Sequence, residues 1–163
     1  MFTDLQAAAL AGAMLLGLPA AASAQQTEPR RLAPNEVIEA ITLEQVRQLV
    51  VDQGGTVSAS EGGEILAKMQ GRNVYYAPAV CDEAGACRGL EIFGIWSASV
   101  PLEAINRFNT VIRTATALST GDALVVKTYV IFDGGVTYAN VRAQSEVFAT
   151  LFPFIEDLAF GGG

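Results

Sequence analysis

Histidine is absent from all 163 residues of the chain, and cysteine occurs only twice. Without histidine, the Ser-His-Asp and Cys-His mechanisms and most zinc sites are excluded. Carboxylate pairs can act as acid and base, but Glu61 with Glu64, and Asp82 with Glu83, fall in predicted turns where acidic side chains are usually solvated. The sequence therefore predicts a protein that is not an enzyme, with no catalytic residues, no metal and no cofactor.

Basic residues are also scarce. Ten Lys and Arg stand against 17 Asp and Glu, which gives a net charge of -7. Apart from Arg30 and Arg31, the basic residues occur singly along the chain. Nucleic acids and anionic membranes are bound through clustered positive charge. We therefore expect neither of them as a partner.

The start of the chain resembles a secretory signal peptide. An apolar run over residues 7–18 is followed by the small residues Ala22-Ser23-Ala24, an order that predicts cleavage after Ala24. Asp4 and the lack of Lys or Arg before the run are atypical. The alternative is an N-terminal anchor that stays attached, although a spanning helix needs about 20 apolar residues. We expect residues 1–24 to be a signal peptide, with a periplasmic or secreted product that has no membrane span.

Three regions are predicted after the leader. Residues 25–40 are polar, contain two prolines and indicate a flexible linker. Residues 41–160 form one α+β domain, and residues 161–163 form a disordered tail. Hydrophobic periodicity within the domain gives the order α-β-β-β-β-α-β-β-α, which predicts three helices on a bent antiparallel sheet.

Local signals mark the ends of several elements. Thr42 and Gln45 have the spacing of a capping box at the start of the first helix. Pro78 predicts that its strand lies at a sheet edge or ends nearby. Pro153 predicts a kink or break in the closing helix, because its ring clashes with the preceding turn.

Both cysteines lie in one short segment, "VCDEAGACRG", between two apolar runs. In an exported protein, thiols this close in sequence are normally oxidised. A hairpin would bring Cys81 and Cys87 within disulfide reach. A redox-active pair is the alternative, but such pairs favour a two-residue spacing, and Asp82 and Glu83 would raise the pKa of the thiols. The sequence therefore predicts a structural disulfide.

The second helix combines an apolar face with polar residues. Leu102, Ile105 and Ile112 make its predicted inner face, with Phe108 at the margin and Asn109 in the middle. An unpaired carboxamide there would cost roughly 1–3 kcal/mol. We therefore expect Asn109 to bond the backbone of the adjoining loop or strand, with ligand binding as the alternative. The neighbouring polar residues extend the candidate structural or binding cluster, which comprises Asn106, Arg107, Asn109 and Arg113.

The order of these segments resembles the YbjN-domain family, described as bacterial sensory transduction regulators. The resemblance rests on "ITLEQVRQLV", the cysteine pair before "RGLEIFGIW", "INRFNTVIRTATAL", "GDALVVKTYVIFDGGVT" and the aromatic closing helix. It covers residues 41–160, and its most specific piece is Asn106 to Asn109. The resemblance implies a fold similar to type III secretion chaperones and no established reaction.

Two functions follow as hypotheses. The first is a non-enzymatic interaction module, regulatory or chaperone-like, with an unknown protein partner or a second copy of the chain. Its candidate interface is the closing helix, unless all four aromatic side chains there are core residues: Phe148, Phe152, Phe154 and Phe160. The second is a small-ligand sensor with a site between the sheet and the second helix. That site would be lined by Tyr75, Tyr76, Trp96, Asn106 and Arg113, and the orientation of the two tyrosines is left open.

Overall fold

A computed structural model of the protein describes residues 30–161. The predicted signal peptide, residues 25–29 of the predicted linker and residues 162–163 of the predicted tail lie outside the described residues. Among the described residues, no helix is long and apolar enough to cross a membrane.

The helices and strands follow one another with short connections. In chain order they are β1 (Val37–Ile38), α1 (Leu43–Asp52), β2 (Thr56–Glu61), β3 (Glu64–Met69), β4 (Arg72–Cys81), β5 (Cys87–Trp96), α2 (Leu102–Val111), β6 (Thr116–Ser119), β7 (Leu124–Ile131), β8 (Val136–Thr137), α3 (Tyr138–Thr150) and α4 (Phe152–Phe160). The predicted α+β class with a bent antiparallel sheet is confirmed.

The main sheet has six strands in the order β2-β3-β4-β5-β7-β6, and every neighbouring pair is antiparallel. Successive side chains of a strand point to opposite faces. On one face, alternate residues of the central strands are buried, including Tyr76, Ile92 and Val126. The residues between them, such as Tyr75 and Phe93, are only half-buried. The core therefore lies on a single face of the sheet, where the helices pack.

The predicted signals at element ends are confirmed where the structure describes them. Thr42 and Gln45 form the capping box of α1, with the Thr42 amide donating to Gln45 Oε1 at 2.9 Å. The closing helix is divided, since α3 ends at Thr150 and α4 begins at Phe152, with Pro153 in its first turn. Proline suits that position because its missing N–H is not needed there.

Pro78 also lies where the sequence predicts. The pairing of β3 with β4 ends at Ile65 and Tyr76. Beyond Tyr76, β4 pairs with β5 alone, and Pro78 lies opposite Leu90. At this point β4 has become an edge strand, which accommodates a residue without an N–H donor.

The predicted flexible linker is wrong for residues 31–40, which pack against the domain. Leu32 is buried, and its amide donates to Gln48 Oε1 at 3.0 Å. Val37–Ile38 pairs with Val136–Thr137 in a second, two-stranded sheet. This segment is held by contacts with distant parts of the chain. Its sequence therefore does not need a hydrophobic period of its own.

Candidate functional site

The described residues contain no group of three or more His, Cys, Asp or Glu side chains that could hold a metal ion. Asp82, one of the carboxylates considered above, has a structural contact. Its Oδ1 accepts hydrogen bonds from the amides of Ala84 and Ala86, at 3.0 and 2.9 Å. This arrangement folds the loop between the cysteines, as short acidic side chains commonly do in turns.

The loop is closed by a disulfide between Cys81 and Cys87. The two residues are direct partners of β4 and β5. Cys87 also exchanges two backbone hydrogen bonds with Ile41, at 2.8 and 2.9 Å. The disulfide therefore joins the end of the β4–β5 hairpin to the chain that leads into α1.

Asn109 makes the contact that the sequence predicts. Its Nδ2 donates to the Ala117 carbonyl at 2.9 Å, and its Oδ1 accepts from the Ala117 amide at 2.7 Å. The carboxamide thus satisfies both backbone groups of one residue in β6. This double contact attaches α2 to the edge of the sheet.

The rest of the predicted polar cluster does not come together around a ligand site. Asn106 and Arg107 are exposed, and Arg107 lies 3.5 Å from Glu103 one helical turn away. Arg113 is exposed after the end of α2 and lies beside β7. Only Asn109 faces the domain interior, so the four residues do not form one site.

The predicted inner face of α2 needs one correction. Ile105 and Phe108 are buried, and Ile112 is partly buried. Leu102, by contrast, is 70% exposed. It lies in the first turn of α2, whereas the contacts with the short strand β6 lie further along the helix at Asn109. At 100° per residue, the buried face centres on Ile105, Phe108 and Ile112, and Leu102 lies about 90° from that centre, at its margin.

The four phenylalanines of the closing helices divide into two pairs. Phe148 and Phe152 are 1% exposed and meet edge to face, with ring centroids 6.0 Å apart. Phe154 and Phe160 are 61% and 63% exposed. The first pair belongs to the core, and only the second pair remains available as an interface.

Phe154 lies on a groove between α2 and α4. The groove has a volume of about 730 Å³. Its apolar lining includes Phe108, Val111, Ile112, Phe154 and Leu158, and its polar residues include Glu103, Arg107 and Asp157. Val111 is 70% exposed. Leu102 and Phe160 are also exposed, but neither lines this groove.

Two contacts fix α4, which forms one wall of this groove. The Arg72 Nε and Nη2 donate to the two carboxylate oxygens of Glu156, at 2.7 and 2.8 Å. The Arg72 guanidinium also lies 5.8 Å from the centroid of the Phe152 ring, a cation–π distance. The hydrogen bond from Arg72 lowers the pKa of the Glu156 carboxyl, and the same bond raises the pKa of Arg72.

The residues suggested for a sensor site do not share one cavity. Tyr76 is buried on the core face of the sheet, whereas Tyr75 lies on the opposite face. There Tyr75 stacks on Phe93, with ring centroids 4.9 Å apart. Trp96 is buried, and Asn106 is exposed. The site that the sequence suggests between the sheet and α2 is therefore not formed by these residues.

A series of hydrogen bonds between buried side chains links three parts of the fold. These contacts were not found from the sequence. The hydroxyls of Tyr76 and Ser145 lie 3.0 Å apart, and Ser145 Oγ donates to Gln53 Oε1 at 2.9 Å. Burial raises the pKa of Tyr76. Because Ser145 is 69 residues from Tyr76 and 92 from Gln53, no local pattern could reveal the contact.

A second long-range contact joins α1 to α3. The Tyr138 hydroxyl donates to Asp52 Oδ2 at 2.9 Å, and Arg31 lies 2.9 Å from Asp52 Oδ1. Burial and the neighbouring Asp52 carboxylate both raise the pKa of Tyr138. Asp52 thereby holds the N-terminal segment, α1 and α3 together.

Comparison of the chain with models of protein families, with curated protein sequences and with solved structures finds no match. The resemblance to the YbjN-domain family and to type III secretion chaperones therefore stays a prediction.

Proposed function

We propose that the protein is a non-enzymatic, exported interaction module of the YbjN type, regulatory or chaperone-like. It binds an amphipathic helix of a partner protein in the groove between α2 and α4. The observation that carries this proposal is the exposure of Val111 and Phe154 on opposite walls of one groove. Exposed apolar surface with a polar rim commonly marks an interaction site.

The shape and chemistry of the groove support a helical occupant. Two helices form its walls, and each contributes one exposed apolar side chain to the groove, Val111 from α2 and Phe154 from α4. An amphipathic helix places apolar side chains at i, i+3, i+4 and i+7 and can lay this face into such a groove. Glu103, Arg107 and Asp157 at the rim offer charged partners for its polar flanks.

Export is supported by two separate features. The leader has the order of a secretory signal peptide, and Cys81 forms a disulfide with Cys87, a bond typical of oxidising compartments. Intact mass of the native protein tests this part. The expected mass lacks residues 1–24 and two thiol hydrogens. A full-length chain with two alkylatable thiols would contradict export.

The partner can be tested by photo-crosslinking in the native cell envelope. A benzophenone amino acid is placed at position 111 or 154 and, as a matched control, at position 51. Val51 is 55% exposed on α1, outside the groove. We expect one adduct of the same mass from positions 111 and 154, and none of that mass from position 51.

The adduct must also depend on the apolar groove. With the probe at position 154, the Val111→Asp variant should lose the adduct, whereas Val51→Asp should keep it. If positions 51, 111 and 154 give the same products, or if the adduct survives Val111→Asp, the groove is not the binding site. An adduct with twice the mass of the chain would instead identify a homodimer.

A small-ligand sensor is the second candidate function. The groove volume of about 730 Å³ lies within the roughly 300–1,000 Å³ of small-molecule sites. A metabolite and lipid panel, read by the melting temperature and by Trp96 fluorescence, tests this function. A ligand that raises the melting temperature of the native chain but not of the Val111→Asp variant would favour the sensor.

A further inference from the structure

One strand of the main sheet continues beyond its neighbour. Pairing between β6 and β7 runs from Ser119 and Leu124 to Thr116 and Lys127. On its other side, β7 stays paired with β5 as far as Ile131. Residues 128–131 therefore have β5 on one side and no paired strand on the other within residues 30–161.

The Asn109 contact shows which backbone groups of this sheet point outward. In an antiparallel pair, the N–H and C=O of one residue point to the same side, and successive residues alternate. Ala117 directs both groups away from β7, to the Asn109 side chain. Its neighbour Thr116 must therefore face β7, where its partner is Lys127.

The same alternation continues along β7. Lys127 faces β6, so the backbone groups of Tyr129 and Ile131 point to that same side, which has become open. Those of Thr128 and Val130 point to β5. Residues 128–131 thus form an open edge. It presents two backbone N–H donors and two backbone C=O acceptors, from alternate residues of an extended strand.

Side chains and a neighbouring cavity accompany this open edge. Tyr129 and Ile131 are 44% and 59% exposed on one face of the sheet. A cavity of about 470 Å³ lies between β7 and the segment that begins at Arg113. It gives an extended chain room to approach the strand.

The charged side chains at this edge indicate which charge the incoming chain carries. Lys127 is compensated, since its Nζ forms an ion pair with Glu91. Arg113 is exposed beside the same cavity. Among the described residues, no carboxylate lies within ion-pair distance of it. An acidic side chain complements this position.

We propose that the open edge of β7 binds an extended segment of a partner protein by strand addition, with an acidic residue of that segment beside Arg113. Alternating backbone donors and acceptors at strand spacing are complementary to another extended chain. The α2–α4 groove and the cavity beside β7 share no lining residue. This second site therefore does not depend on the function proposed for the groove.

A synthetic peptide, acetyl-Thr-Val-Glu-Val-Thr-Val-amide, serves as the probe, and amide hydrogen exchange of the purified protein serves as the measurement. We expect saturable slowing of exchange at Tyr129 and Ile131. Replacing Glu by Lys in the peptide should weaken binding about three- to fivefold, as for an exposed charge pair. The Arg113→Glu variant should prefer the Lys peptide. Two peptides are N-methylated on complementary sets of alternate residues. The peptide whose methylated nitrogens face β7 should not bind, and the other should still bind.

A proline variant tests the direction of the backbone groups. Ile131→Pro removes an N–H on the open side and leaves the bonds to β5, so it should abolish peptide binding and keep the cooperative unfolding transition. Ile131→Thr retains the N–H and should still bind the peptide, so it supplies a folded variant for comparison if the proline variant fails to fold.

The proposal is overturned if peptide at millimolar concentration protects neither amide, or if Arg113→Glu leaves the charge preference unchanged. A dimer that Ile131→Thr retains and Ile131→Pro dissociates would assign the edge to a second copy instead.

Discussion

The carboxamide of Asn109 pairs with the N–H and C=O of Ala117 as a neighbouring strand would, at 2.7 and 2.9 Å. Ala117 lies in β6, at one edge of the main sheet. Unpaired groups on an edge strand offer a template for association with other chains. One side chain of α2 therefore closes part of this edge and attaches the helix to it.

The Asn109→Asp variant tests this contact. It keeps an acceptor for the Ala117 amide but places a carboxylate oxygen against the Ala117 carbonyl, where a donor is needed. We expect the free energy of unfolding to fall by roughly 1–3 kcal/mol, the cost of leaving a part-buried polar group unsatisfied. Urea denaturation followed by Trp96 fluorescence measures this change.

Asn106→Asp is the matched control, because Asn106 is exposed on the same helix. It adds the same charge and should change the free energy of unfolding by less than about 0.5 kcal/mol. Equal losses in the two variants would mean that the negative charge on α2, and not the contact with Ala117, sets the stability.

Asn109 also shows which features could be predicted from the sequence. A polar residue in the middle of an apolar helix face must find a partner, so its contact was predictable. The cysteine pair was predictable for a similar reason, since the two strands on either side of the loop must pair as a hairpin. In both cases, the constraint lies within a short stretch of chain.

Features that depend on distant parts of the chain could not be predicted. The burial of Leu32 depends on Gln48 and on backbone bonds from Tyr138 and Ala139 to residues 34–36. The exposure of Leu102 depends on which side of α2 the rest of the fold covers, and that side centres on Ile105 and Phe108. Hydrophobic periodicity gives the direction of a side chain, but not whether another element reaches it.

The disulfide gives a second prediction. Replacing both Cys81 and Cys87 by Ser should lower the free energy of unfolding by about 2 kcal/mol, because the unfolded chain gains the freedom that the small ring removes. Urea denaturation with and without a reducing agent measures the effect. Reduction should destabilise the native protein by a similar amount.

The double Ser variant is its own control, since a reducing agent should leave its unfolding curve unchanged. If reduction does not shift the curve of the native protein, the ring does not contribute to stability.

The hydroxyl chain of Tyr76, Ser145 and Gln53 gives a third prediction. Ser145→Ala removes a partner from both other residues and should cost roughly 1–3 kcal/mol, because buried polar groups are left unsatisfied. Tyr76→Phe should cost less, because Ser145 keeps Gln53 as a partner. The free energy of unfolding from urea denaturation measures both changes.

The double variant, Ser145→Ala with Tyr76→Phe, separates the contribution of the hydrogen bond to stability from the contribution of packing. Once Ser145 is Ala, removing the Tyr76 hydroxyl leaves no unsatisfied tyrosine, so the combined cost should be less than the sum by about 1 kcal/mol. Strictly additive costs would show that the two hydroxyls do not interact in the folded protein.

The ion pair between Arg72 and Glu156 gives a prediction about pH. Arg72 lowers the pKa of Glu156 in the folded protein below its ordinary value of 4.5. The stabilisation is therefore present above the pKa of the unfolded chain and is lost as the pH falls through the lower, folded value. The free energy of coupling between the two residues should be favourable at pH 7 and absent at about pH 2.

A double-mutant cycle of Arg72→Gln and Glu156→Gln, followed by thermal unfolding at each pH, measures this coupling. Because the cycle subtracts the titration of all other carboxylates, only the interaction between these two side chains remains. A coupling that is equal at both pH values would mean that the charge of Glu156 does not contribute to the interaction. If α4 instead depends on the ion pair, acid should loosen the helix that carries Phe154, and the α2–α4 groove should lose its partner as the pH falls through the lowered, folded pKa of Glu156.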